Sequence, residues 1–226
     1  MDNNTRHGLN RRDFLKASAV TAVATALAAS PLAGNITFAQ SASQDLEILN
    51  YALTLEHLEA AAYRAVIGSG LLSGKALEYF QDFGAHEAAH VDALTTTIKS
   101  LGGTPVAAQA KYNFPAFKSQ QEVLEYFHTV EELGAAAYLG QAPRLMSGDL
   151  LTAAVSIHNV EAQHAAVLAD MIGVSPAPDF GTPKSMDQVL AVVTPILTVP
   201  GSMPSGMPTT GRGGSFRQSG GGNVPY

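Results

Sequence analysis

Two parts of this chain repeat each other, and the repeat constrains the fold more than any other feature of the sequence. "LEHLEAAAY" at 55–63 aligns with "VEELGAAAY" at 130–138 at an offset of 75, setting Glu56 on Glu131 and Tyr63 on Tyr138. Further along, an offset of 74 sets "SG" at 73–74 on "SG" at 147–148, Glu87 on Glu161 and His90 on His164. Each Glu-x-x-His pair begins fourteen residues after its serine. One such pair arises easily by chance in a helix rich in Glu and Ala. Two, in register, each with an upstream partner glutamate, define a chain made of two related halves.

The hydrophobic pattern makes each half a pair of helices. Leu46, Leu49, Leu53, Ala60 and Val66 recur at helical spacing over 44–67, and "GSG" at 68–70 ends the run. A second helix is expected over about 74–101, closed by Gly102-Gly103. A third starts near Ser119 and runs to about Gln141, since Pro143 cannot continue a helix interior, and a fourth covers about 148–172. No β-type alternation occurs. Short links make each pair antiparallel, whereas the seventeen residues 102–118 reach roughly 55–60 Å when extended. That exceeds the ~40 Å of a helix of this length. The expectation is an all-α four-helix bundle with one long crossover over 44–172. Ser185-Met186-Asp187-Gln188 reads as a capping box opening a short fifth helix, 185–197, within an extension spanning 173–199. Residues 200–226 hold eight glycines, four prolines and no acid, and are expected to be a disordered tail.

The first 39 residues read as an address rather than as structure. Arg11-Arg12 precedes Phe14, Leu15 and Lys16, and the mildly apolar run "ASAVTAVATALAASPLA" follows at 17–33. This resembles a twin-arginine signal peptide, with cleavage expected near Ala39. The destination would be the periplasm, the cell envelope or the extracellular space. Removing 1–39 takes away four basic and two acidic residues, changing the net charge from −6 to −8. An acidic chain with no basic run beyond its N-terminus is not expected to bind nucleic acid. The sequence contains no cysteine, which excludes disulfides, thiolate zinc sites and iron–sulfur clusters.

"HEAAH" at 86–90 supports two chemistries. As His-Glu-x-x-His it would place two zinc ligands one turn apart, with Glu87 as the base of a metalloprotease. As Glu87-x-x-His90 it supplies a carboxylate and an imidazole, both as ligands. The repeat favours the second: His86 aligns with Val160, and no third zinc ligand is apparent. His86 is then expected to lie beside a ligand or in solvent. One Glu from each of two helices plus Glu-x-x-His from each of the other two is the donor set of di-iron and di-manganese carboxylate bundles. Four buried carboxylates bring −4, which two divalent cations would balance.

"LNYALTLEHLEAAAY", "AHEAAHVDAL", "YLGQAP" and "SIHNVEAQHAAVLADMI" carry a resemblance over 44–172 to the ferritin-like superfamily, specifically its exported bacterial ferritin-like domain proteins. The resemblance implies Glu56 and Glu131 as terminal ligands, Glu87 and Glu161 as bridging ligands, and His90 and His164 as one nitrogen ligand per metal. Two iron or manganese ions per chain are implied with them. Tyr63 and Tyr138 fall only ~20° off the stripe of their glutamates, so each phenol is expected to lean back and hydrogen-bond a ligand, the alternative being aromatic core packing. Glu59, Glu132 and His57 are expected off the ligand set, either beside it or solvated, and His128 and His158 are not counted as ligands. The expected function is redox chemistry on oxygen or peroxide, or stress protection. The alternative is a non-catalytic metal-binding or structural envelope protein, with self-association or an envelope partner reached through the tail. A fold of this kind does not choose among these.

Overall fold

The computed structural model describes residues 31–176 and 178–197, with side-chain surroundings from residue 42 onward. Residues 1–30 of the expected signal peptide 1–39 and the tail 200–226 fall outside the described residues, while residues 31–39 lie in the first helix. Among those described, the chain is entirely helical and loop, in the order α1 (Pro31–Ile67), α2 (Gly74–Ser100), α3 (Gln120–Gln141), a 3₁₀ turn (Ala142–Arg144), α4 (Gly148–Ile172) and α5 (Met186–Leu197). No helix among these residues is long and apolar enough to cross a membrane.

Helix α1 begins earlier than the expected residue 44. Pro31 suits the first helical position, where its missing N–H costs nothing, and Gly34 is the least helix-favouring residue of the segment that follows. Helices α3 and α4 start where their serines predict: Ser119 Oγ accepts from Glu122 N at 3.2 Å, and Ser147 Oγ accepts from Leu150 N at 3.3 Å. The capping box of α5 is reciprocal, Ser185 N donating to Gln188 Oε1 at 2.8 Å and Gln188 N to Ser185 Oγ at 3.3 Å.

Helix α1 packs along α2, and α3 along α4, as the short links require. Tyr63 sits among Phe80 and Phe127, while Tyr138 packs with Leu49 and Leu53, so α1 and α3 run antiparallel. The crossover is fastened to α1 and α5 on its way. Val106 N donates to the Asn50 side chain at 2.7 Å, and Asn113 N donates to Ile196 O at 2.8 Å. Helix α5 covers the groove between α1 and α3, burying Met186, Val189, Val193 and Leu197 against Tyr51, Leu55, Leu133 and Ala137. Residues 51–56 of α1 are consequently buried without interruption, because the helix has neighbours on several sides.

Two apolar clusters fill the bundle. One contains Leu53, Leu94, Ile98, Tyr138, Leu150 and Ile157; the other contains Tyr63, Phe80, Phe83, Val123, Phe127 and Leu168. Along every helix the glutamates of the repeat fall between the residues of one cluster and those of the other. A polar layer is thereby enclosed between two hydrophobic ones.

Candidate metal centre

Four helices each send one glutamate into that layer: Glu56 from α1, Glu87 from α2, Glu131 from α3 and Glu161 from α4, all with 0% exposure. His90 and His164 join them one turn after Glu87 and Glu161, because residues three apart share a helical face. The donor atoms form two groups, each lying within 4.8 Å. Glu56, Glu87, His90 and Glu161 make one; Glu87, Glu131, Glu161 and His164 make the other. Glu87 and Glu161 belong to both. The structure brings together all six residues that the resemblance implied.

The contacts repeat the two-fold pattern of the sequence. His90 Nδ1 lies 3.2 Å from Glu56 Oε2, 3.1 Å from Glu87 Oε2 and 3.3 Å from Glu161 Oε1. His164 Nδ1 lies 3.1 Å from Glu131 Oε2 and 3.1 Å from Glu87 Oε1. The tyrosines cross between the halves: the Tyr63 hydroxyl donates to Glu131 Oε1, and the Tyr138 hydroxyl to Glu56 Oε1.

The electrostatics describe a site that needs positive charge. Burial pushes the Glu56 carboxyl up to about 7, against the pull of His90. Burial and then the neighbouring carboxylates, Glu87 foremost, hold Glu161 well above the usual range. Glu87 goes the other way: burial would raise it, but the adjacent His164 and His90 outweigh that and keep it ionised. Burial disfavours the charged imidazoles too, yet the carboxylates prevail, raising His90 well above its ordinary value and His164 to about 9. Among the described residues, Glu87 Oε1 and both oxygens of Glu161 are buried and accept no well-aligned hydrogen bond, although His164 Nδ1 and His90 Nδ1 stand at ion-pair distance from Glu87 Oε1 and Glu161 Oε1. Such atoms are uncommon in folded proteins, and here they belong to the two residues common to both donor groups. Carboxylate-rich donors with one imidazole on each side fit a pair of hard or borderline cations.

Other residues singled out in the sequence lie elsewhere. Glu132 is 61% exposed, 3.6 Å from His128. His57 Nε2 is 3.2 Å from Val106 O, and His158 Nδ1 is 2.9 Å from Ala135 O, so one ring nitrogen of each is engaged by backbone. His86 is in neither donor group; its Nδ1 lies 2.9 Å from His164 Nε2, and burial followed by the two neighbouring histidines keeps its pKa low. A zinc held jointly by His86 and His90 does not match this arrangement.

Glu59 is a fifth buried carboxylate beside the site, not a solvated one. Burial, then Glu161 and the other glutamates, raises its pKa well above normal. Room for it comes from Gly134, its own counterpart in the repeat. A Cβ there would lie 2.9 Å from Glu59 Oε1 and 2.8 Å from Glu161 Oε2. The signal was present in the sequence as a glycine inside a helix, where it is unfavourable unless something needs the space.

Comparison with known proteins agrees with this architecture. The ferritin-like domain family matches residues 44–174, and the twin-arginine translocation signal matches residues 8–28. No curated protein matches the sequence. Among solved structures, the chain is similar to a conserved hypothetical protein from Mycobacterium tuberculosis, with TM-score 0.55 and 21% identity, covering 61% of this chain and 96% of that one. It is also similar to a ferritin-like, diiron-carboxylate protein from Bacillus anthracis strain Ames, with TM-score 0.51 and 23% identity, covering 58% of this chain and 97% of that one.

Proposed function

The chain belongs to the ferritin-like domain family and carries a twin-arginine export signal, and from that premise we propose that it is an exported metalloprotein holding two iron or manganese ions for redox chemistry on oxygen or peroxide. The observation that carries this reading is the pair of glutamates, Glu87 and Glu161, common to both donor groups, with one oxygen of Glu87 and both of Glu161 buried and accepting no hydrogen bond. Glu56 and His90 would complete one position, and Glu131 and His164 the other. Ions of this kind, when bound, supply electrons to a small oxidant. The donor set, rich in carboxylate oxygen and free of sulfur, favours iron or manganese over a structural zinc.

The chain's own residues prepare the site for that role. The apolar clusters on either side bury the four glutamates completely, so each charge–charge interaction among them is stronger than in water. Tyr63 and Tyr138 remain protonated, their pKa values held well above normal by burial first and then by the adjacent carboxylates, and their hydroxyls orient Glu131 and Glu56. His90 and His164 turn Nδ1 inward and keep Nε2 outward. The twin-arginine route moves folded protein, which would allow the ions to be loaded before export.

Elemental analysis of the purified protein and its variants tests the reading. Two ions per chain are expected, with Glu87→Ala and Glu161→Ala each losing both. Glu87→Gln should also be impaired, since a neutral amide cannot supply the shared negative charge. His86→Ala should still bind two ions when metal is in excess. A single zinc, lost in His86→Ala and retained in Glu87→Gln, would replace the dinuclear reading with the protease one. Oxygen or peroxide turnover by the loaded protein separates a redox role from that of a metal-binding envelope component.

A further inference from the structure

The two halves of the site are built on one plan, but their histidines are supported differently. His164 is 2% exposed and His90 12%. Phe83 stacks on the His164 ring, with centroids 4.0 Å apart and planes inclined by 24°. His86 meets the same ring edge-on, the two imidazoles nearly parallel at 5°, with Nδ1 of His86 2.9 Å from His164 Nε2. His164 is therefore held on a face and at its outer nitrogen. On the other side, the repeat places Ile157 where Phe83 stands and Val160 where His86 stands. Among the described residues, nothing bonds the outer nitrogen of His90.

Resting on the dinuclear reading above, we propose that His86 is a positioning residue for His164 that makes the two cation positions unequal, the Glu131/His164 position being the tighter and the Glu56/His90 position the more exchangeable. A neutral imidazole has one N–H and one lone pair. When His164 turns the lone pair of Nδ1 inward, its proton resides on Nε2, and Nδ1 of His86 is the acceptor in place to receive it. That hydrogen bond fixes both tautomer and ring angle, and raises the basicity of the inward nitrogen. Among the described residues His90 has no such acceptor, and it takes its orientation from the carboxylates. "HEAAH" thus contains a ligand pair and, in its first residue, the support for the ligand of the other half.

Titrating metal-free protein with Co²⁺, followed by visible absorption and by competition with a chelator, tests this without recourse to activity. Wild type should bind two Co²⁺ in resolvable steps, the tighter being the step abolished in His164→Ala and the weaker the one abolished in His90→Ala. His86→Ala should weaken the tighter step by about 10–100-fold and leave the other within about twofold. His86→Phe keeps a ring beside Phe83 but lacks the acceptor, so it should behave like the alanine variant even if the latter loses helicity. His86→Asn places an amide oxygen near the position of Nδ1 and should recover most of the loss. Two equal steps in wild type would overturn the proposal, as would an equal shift of both steps, or of neither, in His86→Phe. Failure of wild type to bind a second Co²⁺ would instead overturn the dinuclear reading itself, and this inference with it.

Discussion

Tyr63 and Tyr138 show how a single hydroxyl links the halves of the molecule. Each ring belongs to an apolar cluster on one side of the polar layer, and each hydroxyl donates to a glutamate on the opposite half of the repeat. The two-turn spacing within each helix made the inward lean legible from the sequence. The partner was not, because Tyr63 reaches Glu131 only once α1 and α3 lie antiparallel. A hydrogen bond to a charged acceptor contributes about 1.5–3 kcal/mol. Tyr138→Phe is therefore expected to lower the stability of the chelated protein by about that amount at pH 8, where Glu56, raised to about 7, is mostly ionised. Tyr63→Phe should act comparably through Glu131. Denaturant unfolding in the presence of chelator measures both, and a change under about 0.5 kcal/mol in each would mean the hydroxyls contribute nothing net to the fold.

At the scale of elements, the fifth helix depends on a close approach that its own sequence does not reveal. The capping box at Ser185 was legible because its two hydrogen bonds are local. Its place over α1 and α3 is set by the residues just before it. Lys184 N donates to Ala136 O at 3.0 Å, and Lys184 O lies 1.8 Å from where a Cβ on Gly140 would be. In an unconstrained helix, Gly→Ala stabilises by about 1 kcal/mol. Here the added methyl would strike the backbone and lift the connector, an overpacking effect that typically costs about 1–3 kcal/mol. Gly140→Ala should thus destabilise, with α5 more readily cleaved by protease, as urea unfolding and limited proteolysis would report. A variant more stable than wild type would show that the connector is not seated on α3.

For the molecule as a whole, the buried charge makes metal content and pH inseparable. Glu56 rises from 4.5 to about 7 and His164 from 6.5 to about 9 on folding, so each contributes stability in its protonated form that is complete below the unfolded value and is lost as pH climbs through the folded one. Glu161 and Glu59, also raised, act in the same direction. Glu87, lowered, contributes above its unfolded value of 4.5 and loses that contribution only as pH falls towards its folded pKa. Chelated protein should consequently melt at a lower temperature at pH 8.5 than at pH 5.5. Bound cations take the place of those protons, so loading should raise the melting temperature, and more at the higher pH. Thermal melts of loaded and chelated protein at the two values test this; a chelated form equally stable at both would contradict the charge distribution described for the core.

The sequence by itself determined what lies within a helix. Periodicity, serine caps and the 75- and 74-residue offsets identified four long helices, a fifth short one, and the six residues that meet at the centre, because i, i+3 and repeat relations are properties of the chain alone. Tertiary structure decided what lies between helices. Glu59 is buried because Gly134 leaves a gap on a different helix, and His86 reaches His164 because α2 and α4 face one another there. Neither relation has a fixed spacing in the sequence, since the rotation of one helix against the next is set by side-chain packing across their contact.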